Sequence, residues 1–397
     1  MRRYDVVVVG GRCAGAATAM LLADAGHDVV LVDRAGLPSD TVSTHSLARG
    51  GVVQLQRWGL LEELLASGAP ALRTATFRRY DADAPAPVRL TIKDRAGVDH
   101  LLAPRRHVLD DLLLRAAVRA GVTVMDRTRV RELLRDDTGR AVGVRATDRH
   151  GRTVELGARW VVGADGVRSH VAKLAGAAVI ERHAAGGSCF YTYVGDVDWD
   201  GLEFHVAEGL FAGVFPTHRD AACVWIVQPS GAAVPAAPGG RLRAWLELLR
   251  DRAPELGARV AAGTVLEPVR GAVGLPQHRR QIHGPGWALV GDAGYHRDPI
   301  TAHGITDAFR DAELLAGALD HALRDQTSAD AALAAYQRGR DEAVADTFRL
   351  TRALSAFPHP EEFTRLQGEL SRALDVEATA LAARPPRSTH TEQMRTG

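Results

Sequence analysis

The stretch that most constrains the fold of this chain is residues 4–33, YDVVVVGGRCAGAATAMLLADAGHDVVLVD. The valine run from Val6 to Val9 is typical of a strand buried on both faces, and it stops at Gly10. The small residues from Cys13 to Ala25 predict a helix, and Asp28 to Val32 predict a second strand that ends in an aspartate. This order of strand, tight turn, helix and strand predicts a dinucleotide-binding unit.

The turn directs backbone N–H groups and the first turn of a helix towards one spot, which favours a pyrophosphate there. The aspartate that ends the second strand, Asp33, is placed to accept hydrogen bonds from a ribose. The usual pattern G-x-G-x-x-G is broken, because Arg12 stands where the second glycine lets backbone approach phosphate. Arg12 either adds a cation near the phosphates or turns away from them. The candidate binding residues of this unit are Gly10, Gly11, Arg12, Cys13, Ala14, Gly15, Asp33 and Arg34.

Length and composition narrow the class of protein. A chain of 397 residues is too long for one simple core and suits two interleaved domains. The net charge of +1 gives no basis for binding nucleic acid, and no window reaches the roughly 18 apolar residues of a membrane span. The three cysteines lie far apart without metal-ligand spacing, so we expect reduced thiols and no metal site. No signal peptide is visible, and we expect a cytoplasmic monomer or homodimer.

The middle of the chain predicts a second unit of a different kind. From residue 183 to 275 the alternation of helices and strands is lost, and segments such as SCFYTYVGD and ACVWIVQP predict a mostly antiparallel sheet. Its many aromatic residues suit a pocket wall for a flat apolar ligand, although a plain sheet core explains them equally well. We expect an α/β fold with a Rossmann-like unit at 1–71, 104–182 and 276–325, a sheet unit at 72–103 and 183–275, C-terminal helices at 326–383 and a disordered tail at 384–397.

Two further motifs follow the first one. The segment WVVGADGVRS is a strand that runs into Asp165-Gly166, and LVGDAGYHRDPITAHG is a strand that ends in Gly291-Asp292. Between the first two motifs, Arg106 opens an amphipathic helix with the pattern R-x-x-L. Over residues 1–325, these motifs in this order resemble the FAD-dependent monooxygenases of the para-hydroxybenzoate hydroxylase type.

The resemblance implies an FAD-binding domain of the glutathione reductase type that holds FAD along its whole length. In this family the aspartate that matches Asp292 contacts the ribityl chain, and the Asp165-Gly166 pair contacts FAD and the reducing nicotinamide. Arg106 matches an arginine that reaches the flavin chain, and Val130 matches a strand residue that contacts adenine through its backbone. A plain turn at Asp165-Gly166 and a solvated arginine at position 106 remain alternatives.

The loop that follows Gly291-Asp292 is implied to lie beside the flavin ring. Pro299 matches a proline next to the isoalloxazine, where oxygen reacts. Gly304 and Ile305 open a helix whose N-terminal amides can stabilise the negative charge of reduced flavin. This helix departs from the family's usual G-x-N start. The residue before it, His303, would lie close to the flavin and could donate to it or to substrate, while a solvent-exposed position remains an alternative.

A second histidine candidate, His45, lies in the loop of residues 34–46, which is rich in Pro, Ser, Thr and Gly. In the family this loop passes near the isoalloxazine, so His45 is either a base in the pocket or an exposed loop residue. The candidate catalytic residues are therefore His45, His303 and Pro299.

The resemblance also implies a reaction. NAD(P)H reduces FAD transiently from the surface, O2 adds to the flavin at C4a, and the hydroperoxide hydroxylates or epoxidises a small molecule. We expect an aromatic or polyketide-like substrate in specialised metabolism, such as antibiotic biosynthesis.

Three alternatives remain open. A flavin-dependent reductase of the geranylgeranyl reductase type shares this architecture and saturates C=C bonds. A halogenase is disfavoured, because residues 223–228 lack the full W-x-W-x-I-P motif and the chain has only Lys93 and Lys173 to serve as a tunnel lysine. A non-catalytic flavin-binding protein is the third.

Overall fold

The computed structural model describes residues 2–232 and 238–385, and the tail predicted to be disordered, 384–397, lies almost wholly outside them. The helices are α1 Cys13–Asp24, α2 Arg49–Arg57, α3 Leu61–Ala66, α4 Arg106–Arg119, α5 His170–Ala175, α6 Pro238–Arg252, α7 Pro254–Ala262, α8 Gly304–Arg324, α9 Ala329–Leu354 and α10 Pro360–Ala382. The strands are β1 Arg2–Val9, β2 Val29–Val32, β3 Thr74–Arg79, β4 Val88–Thr91, β5 Thr123–Met125, β6 Arg129–Arg135, β7 Ala141–Thr147, β8 Thr153–Gly163, β9 Val179–His183, β10 Gly187–Gly195, β11 Leu202–Ala207, β12 Leu210–Pro216, β13 Ala222–Pro229, β14 Thr264–Val265, β15 Arg270–Ala272, β16 Gln277–Arg280, β17 His283–Gly284, β18 Trp287–Leu289 and β19 Tyr295–His296.

The first sheet is the parallel sheet that the valine run predicts. Its order is β17-β18-β8-β1-β2-β5, and β18, β8, β1, β2 and β5 are mutually parallel. Strands β6 and β7 extend it as an antiparallel ribbon next to β8. Val6, Val7 and Val8 have no exposed surface, so β1 is buried on both faces, as the valine run predicts. Parallel strands end on the same edge, so the segments that follow β1, β8 and β18 meet there.

Helices α1 and α8 pack against each other over this sheet. The face of α8 that the spacing predicts is buried, and it consists of Ile305, Phe309, Ala312, Ala316 and Leu319. Nearly all of α1 is buried as well, since its alanines and its single glycine, Gly15, allow close approach on every side.

The second sheet has the order β14-β10-β13-β12-β11-β3-β4, with β15 beside β10. Its pairs are antiparallel except for β11 with β3, which confirms the mostly antiparallel sheet predicted for residues 183–275. One face packs on α6 and α7, and the other faces α10 and the end of α9. Alternate residues of each strand point to opposite faces, so Cys189, Tyr191 and Tyr193 of β10 lie on the α10 side.

The last helix, α10, spans both sheet units. Asp375 forms an ion pair with Arg49 of α2 at 3.1 Å, and Glu377 forms one with Arg310 of α8 at 3.0 Å. No helix among the described residues is both long enough and apolar enough to cross a membrane.

Candidate active site

The three sequence motifs meet at the carboxyl edge of the parallel sheet. The Ala164 amide donates to the Val9 carbonyl at 2.8 Å, and the Val290 amide donates to the Gly163 carbonyl at 3.0 Å. A Cβ atom on Gly10 would lie 2.4 Å from the Ala164 carbonyl oxygen, so glycine is required for the first two motifs to touch. The sequence predicted each motif separately, and the sheet brings them together.

The third motif reaches the first through Gly291. This residue has φ of +58°, and a Cβ on it would lie 3.0 Å from the Cβ of Ala14 in α1. The end of β18 therefore passes directly beside the first turn of α1. The missing side chain allows Asp292, the next residue, to sit close to the glycine turn.

The glycine turn and Asp33 are joined by hydrogen bonds. The Asp33 carboxylate accepts from the Gly11 amide at 2.7 Å and from the Ala35 amide at 2.7 Å. Asp33 thus shapes the turn as well as ending the second strand. No side chain caps the N-terminus of α1 at Arg12, which leaves amides of that first turn to meet an anion. Arg34, the other candidate here, is exposed.

Asp292 is partly accessible, and its carboxylate makes no hydrogen bond or ion pair with any residue that the structure describes. Burial raises the pKa of this carboxyl, with Asp307 adding to the effect and His296, Arg106 and Arg297 opposing it. A carboxylate with unused acceptor positions at this point suits sugar or ribityl hydroxyl donors.

Arg106 is buried, so the solvated alternative is wrong for it. Its guanidinium makes three hydrogen bonds of 3.0–3.2 Å to Asp110, one turn further along α4. Burial opposes the charge of Arg106, but Asp110 and more weakly Asp292 raise its pKa, so it stays a cation between those two carboxylates.

Asp165 has a structural task that the sequence did not show. Its carboxylate accepts from the amides of His170 at 2.6 Å and Val171 at 3.1 Å, and from the Ser169 hydroxyl, which caps α5. Gly166 follows with φ of +82°. Val130 is buried in β6. Contacts of these three residues with FAD stay predictions.

His45 is buried, with only 1% of its surface exposed, so the exposed alternative is wrong. Its backbone lies in the left-handed region at φ of +66°, which costs energy for a residue with a side chain. Its Nε2 hydrogen bonds the Tyr193 hydroxyl, and the two rings stack at a centroid distance of 5.5 Å. Its Nδ1 has no partner among the described residues. Burial and then the charges of Arg106 and Arg105 lower the pKa of His45 well below its usual value, so the imidazole is neutral.

Tyr193 is in turn covered by Arg105, whose guanidinium carbon lies 3.6 Å from the centre of the phenol ring. Arg105 forms ion pairs with Asp40 at 3.1 Å and Glu267 at 2.6 Å. Burial raises the pKa of Tyr193, so its hydroxyl is a neutral donor.

The loop before α8 is fixed by hydrogen bonds to the carboxylate of Asp298. Asp298 accepts from the amides of Gly187 at 2.8 Å, Gly186 at 3.1 Å and Ile300 at 3.1 Å, and this fixes the 3-10 turn Pro299–Thr301. Ile300 packs in the core that covers the α10 side of the second sheet. The loop therefore links the two sheet units.

His303 is also buried, with 3% of its surface exposed, and this excludes its exposed alternative. Its Nε2 lies 3.8 Å from a carboxylate oxygen of Glu377 in α10. No side chain caps the N-terminus of α8, at Gly304 and Ile305. The catalytic roles of His45, His303 and Pro299 stay predictions.

Aromatic side chains line the α10 side of the second sheet. Phe211 lies 4.9 Å from Trp225 and 4.9 Å from Phe363 of α10, and Phe215 lies 5.2 Å from Trp225, all between ring centroids. Ile300, from the loop of Pro299, belongs to the same hydrophobic core as these aromatic residues.

Two residues of the site, Asp110 and Tyr193, were not predicted. Asp110 stands four residues after Arg106, among leucines that the periodicity buries, and a carboxylate on a buried face signals a partner. Tyr191 and Tyr193 are two residues apart, so they lie on the same face of β10. This period of two is visible in the sequence and could have indicated Tyr193. Glu377 offered no signal, because its position depends on how α10 docks.

A parallel sheet with a glycine turn, a strand-end carboxylate and an uncapped helix at its carboxyl edge defines a dinucleotide-binding flavoprotein. The chain belongs to the FAD binding domain family, whose profile matches residues 3–351. It is an FAD-dependent oxidoreductase.

Curated relatives support the family, and a solved structure shares the fold. The chain is 31% identical over 321 residues to a digeranylgeranylglycerophospholipid reductase of Methanothrix thermoacetophila, covering 79% of this chain and 77% of the relative. It is 30% identical over 316 residues to a menaquinone reductase of Mycolicibacterium smegmatis, covering 76% and 73%. PqsL of Pseudomonas aeruginosa, in complex with 2-aminobenzoylacetate, has a TM-score of 0.77 at 24% identity, covering 92% of this chain and 100% of PqsL.

The residues present fit FAD. The uncapped start of α1 and the cations Arg12 and Arg106 suit the pyrophosphate, and the unbonded carboxylate of Asp292 suits a hydroxyl of the ribityl chain. When bound, FAD would supply hydride and electron transfer, which the side chains of the site cannot perform alone.

Proposed function

We propose that this protein is an NAD(P)H-using FAD-dependent monooxygenase that hydroxylates or epoxidises a flat, apolar small molecule of the aromatic or polyketide class. The observation that carries this proposal is the aromatic wall of Phe211, Phe215, Trp225 and Phe363, which shares a hydrophobic core with Ile300 of the Pro299 loop. These rings meet edge-on or tilted, at interplanar angles of 73°, 53° and 48°, and form an apolar surface. Such a surface suits an apolar ligand better than a charged one.

The substrate would lie between the two sheet units, with residues 72–103 and 183–275 as the substrate domain. Phe363 of α10 covers the aromatic wall, so water is excluded from that side. Either outcome of flavin chemistry, oxygenation or reduction, consumes one proton per turnover with NAD(P)H. The neutral Tyr193 hydroxyl, held by the neutral His45, is the buried donor that we assign to hold this proton.

A second candidate is reduction of a C=C bond. It is favoured by the identity of 31% with the digeranylgeranylglycerophospholipid reductase. In this reaction hydride would be added to one carbon and a proton to the other, and Tyr193, hydrogen bonded to His45, is the buried hydroxyl that we assign to pass on the proton.

Halogenation is not supported by the placement of the lysines. Lys93 follows β4 and is exposed, and Lys173 is exposed on α5, so neither lines the aromatic wall.

Oxygen consumption separates the two candidates. Purified FAD-loaded protein is mixed with NADPH and a panel of planar phenols and isoprenoid quinones, and O2 uptake is recorded together with the product mass. A product that gains one oxygen atom from labelled O2 supports the monooxygenase. A product that gains two hydrogen atoms without O2 uptake would overturn it and establish the reductase. If no compound accelerates the oxidation of NADPH, neither candidate reaction occurs with the classes of compound in the panel.

A further inference from the structure

One buried carboxylate, Asp110 on α4, binds three side chains at the edge of the cofactor site. Besides its three hydrogen bonds with Arg106, it accepts one from the Cys13 thiol at 3.2 Å and lies 3.5 Å from Nη1 of Arg12. The Asp110 side chain is 1% exposed. A buried carboxylate is stable only with such partners, so its charge and its contacts are fully committed to this cluster.

Arg12 is held in place on two sides. Besides Asp110, it contacts Ser39 of the following loop, donating to the hydroxyl at 3.0 Å and to the carbonyl at 3.3 Å. About a third of its side chain stays exposed, at 32%. The residue that replaces the second glycine of the fingerprint is therefore fixed across the start of α1 and does not swing freely into solvent.

Arg106 connects this cluster to the third motif. It is buried, and its charge interacts with Asp292 as well as with Asp110. Through Asp110, which also contacts Cys13 at the start of α1, the cations Arg12 and Arg106 belong to one cluster.

The charges of the cluster leave a surplus. Two guanidiniums share the single carboxylate of Asp110, so one positive charge is not neutralised within these three residues, and the charge of Asp292 offsets part of it through Arg106. The same place holds the uncapped N-terminus of α1, which adds a partial positive charge. A doubly charged pyrophosphate is the part of FAD that matches this sign and position.

We propose that Asp110 is a positioning residue that fixes Arg12 and Arg106 as a pair of cations for the FAD pyrophosphate. The arginine at the glycine position then strengthens cofactor binding and compensates for the lost close approach of backbone. This inference rests on FAD binding alone and holds whether the enzyme oxygenates or reduces its substrate.

The direction in which one substitution changes the affinity for FAD tests the proposal. Full-length protein is stripped of FAD, and its affinity for FAD is measured by flavin fluorescence for wild type and Asp110→Asn. If Asp110 acts only as a negative charge near the phosphates, its removal will tighten binding. If it positions the arginines, affinity will fall by about tenfold or more, because charge-assisted hydrogen bonds are misaligned. Tighter or unchanged binding would overturn the proposal.

The neighbouring residue supplies a matched control. Asp111 is on the outer side of α4, where it forms an ion pair with Arg115 at 2.8 Å. We expect Asp111→Asn to leave FAD affinity unchanged. Loss in both variants would point to damage of α4 in general and would contradict a specific role for Asp110.

Arg12→Gly keeps the proposal falsifiable if Asp110→Asn does not fold. It restores the fingerprint glycine at a partly exposed position, so the fold is retained. We expect weaker FAD binding in this variant, and equal or tighter binding would remove Arg12 from the site. In the double variant the two losses will not add, because Asp110 acts partly through Arg12; additive losses would show that it does not.

Discussion

The imidazole of His45 lies almost parallel to the phenol ring of Tyr193, at an interplanar angle of 11°, and its Nε2 hydrogen bonds the hydroxyl of the same tyrosine. His45 is on the loop between β2 and α2, and Tyr193 is on β10 of the second sheet. The pair therefore joins the two units at the place where the charges of Arg105 and Arg106 also act on His45.

Tyr193→Phe is expected to lower turnover by about tenfold to a hundredfold, because the buried proton donor is lost. FAD content should remain that of wild type, since the hydroxyl faces His45 and not the glycine turn. The measurements are kcat across pH 6–9 and flavin absorbance per protein.

Tyr191→Phe is the matched control for this substitution. Its ring meets His45 edge-on at 5.8 Å, but its hydroxyl bonds only backbone, at the Thr41 carbonyl and the Ser43 amide. Equal losses in the two variants would show that packing of the strand, and not the proton of Tyr193, is responsible.

Asp292→Ala should weaken FAD binding about tenfold to a hundredfold, the value of one hydrogen bond to a carboxylate, and leave the melting temperature of the FAD-free protein unchanged or slightly higher. The reason is that the Asp292 carboxylate has no bonding partner to lose within the described chain, while its charge is unfavourably buried. Unchanged flavin affinity would contradict the placement of the ribityl chain here.

Asp33→Ala should behave differently. Because Asp33 accepts from the Gly11 and Ala35 amides, its loss should reduce FAD affinity and also destabilise the FAD-free protein, by about 1–3 kcal/mol. Thermal unfolding with and without FAD separates the two effects. A variant with wild-type stability would mean that the turn does not depend on these bonds.

Acid should destabilise the protein between pH 6.5 and pH 4. Burial lowers the pKa of His278 and of His218 from 6.5 to about 4, with nearby positive groups adding to the effect. As pH falls, these two histidines take up protons in the unfolded chain at a higher pH than in the folded protein. Their contribution to the free energy of unfolding is therefore fully present above pH 6.5 and is lost as pH falls towards 4. The loss at pH 5 is on the order of 1–2 kcal/mol for each residue. Melting temperatures across this range should fall less steeply for His278→Gln than for wild type, and the surface variant His150→Gln should match wild type.

Two helical glycines should respond oppositely to alanine. A Cβ on Gly15 would lie 1.8 Å from the Gly10 carbonyl oxygen, so Gly15→Ala should abolish FAD binding and cost about 3 kcal/mol of stability.

Gly317 of α8 has open space around its Cα, so Gly317→Ala should stabilise the fold by about 0.5–1 kcal/mol. Calorimetry with and without FAD checks both, and tolerance at position 15 would contradict the contact.

The elements of the fold followed from local patterns. The buried valines of β1 and the apolar face of α8 are set by neighbours within one strand or helix, so periodicity predicted them. The three motifs were found for the same reason. The sequence could not show that Gly291 meets Ala14, since only the order of strands in the sheet brings them together.

Side-chain partners were harder to predict than elements. The sequence leaves the direction of the Arg12 side chain open, because its partners Asp110 and Ser39 are distant in sequence. A loop and a helix start are usually accessible, so local patterns allow an exposed side chain for His45 and His303. Tertiary packing buries both. Their burial depends on β10 and α10, which local patterns do not position.

The position of α10 has a consequence for how the chain is made. Asp375 pairs with Arg49 across 326 residues, and Phe363 covers an aromatic wall whose strands are complete at Pro229. A ribosome therefore finishes that wall long before it produces the helix that shields it. During synthesis the rings of Phe211 and Trp225 are therefore without the cover of Phe363 until α10 has been made.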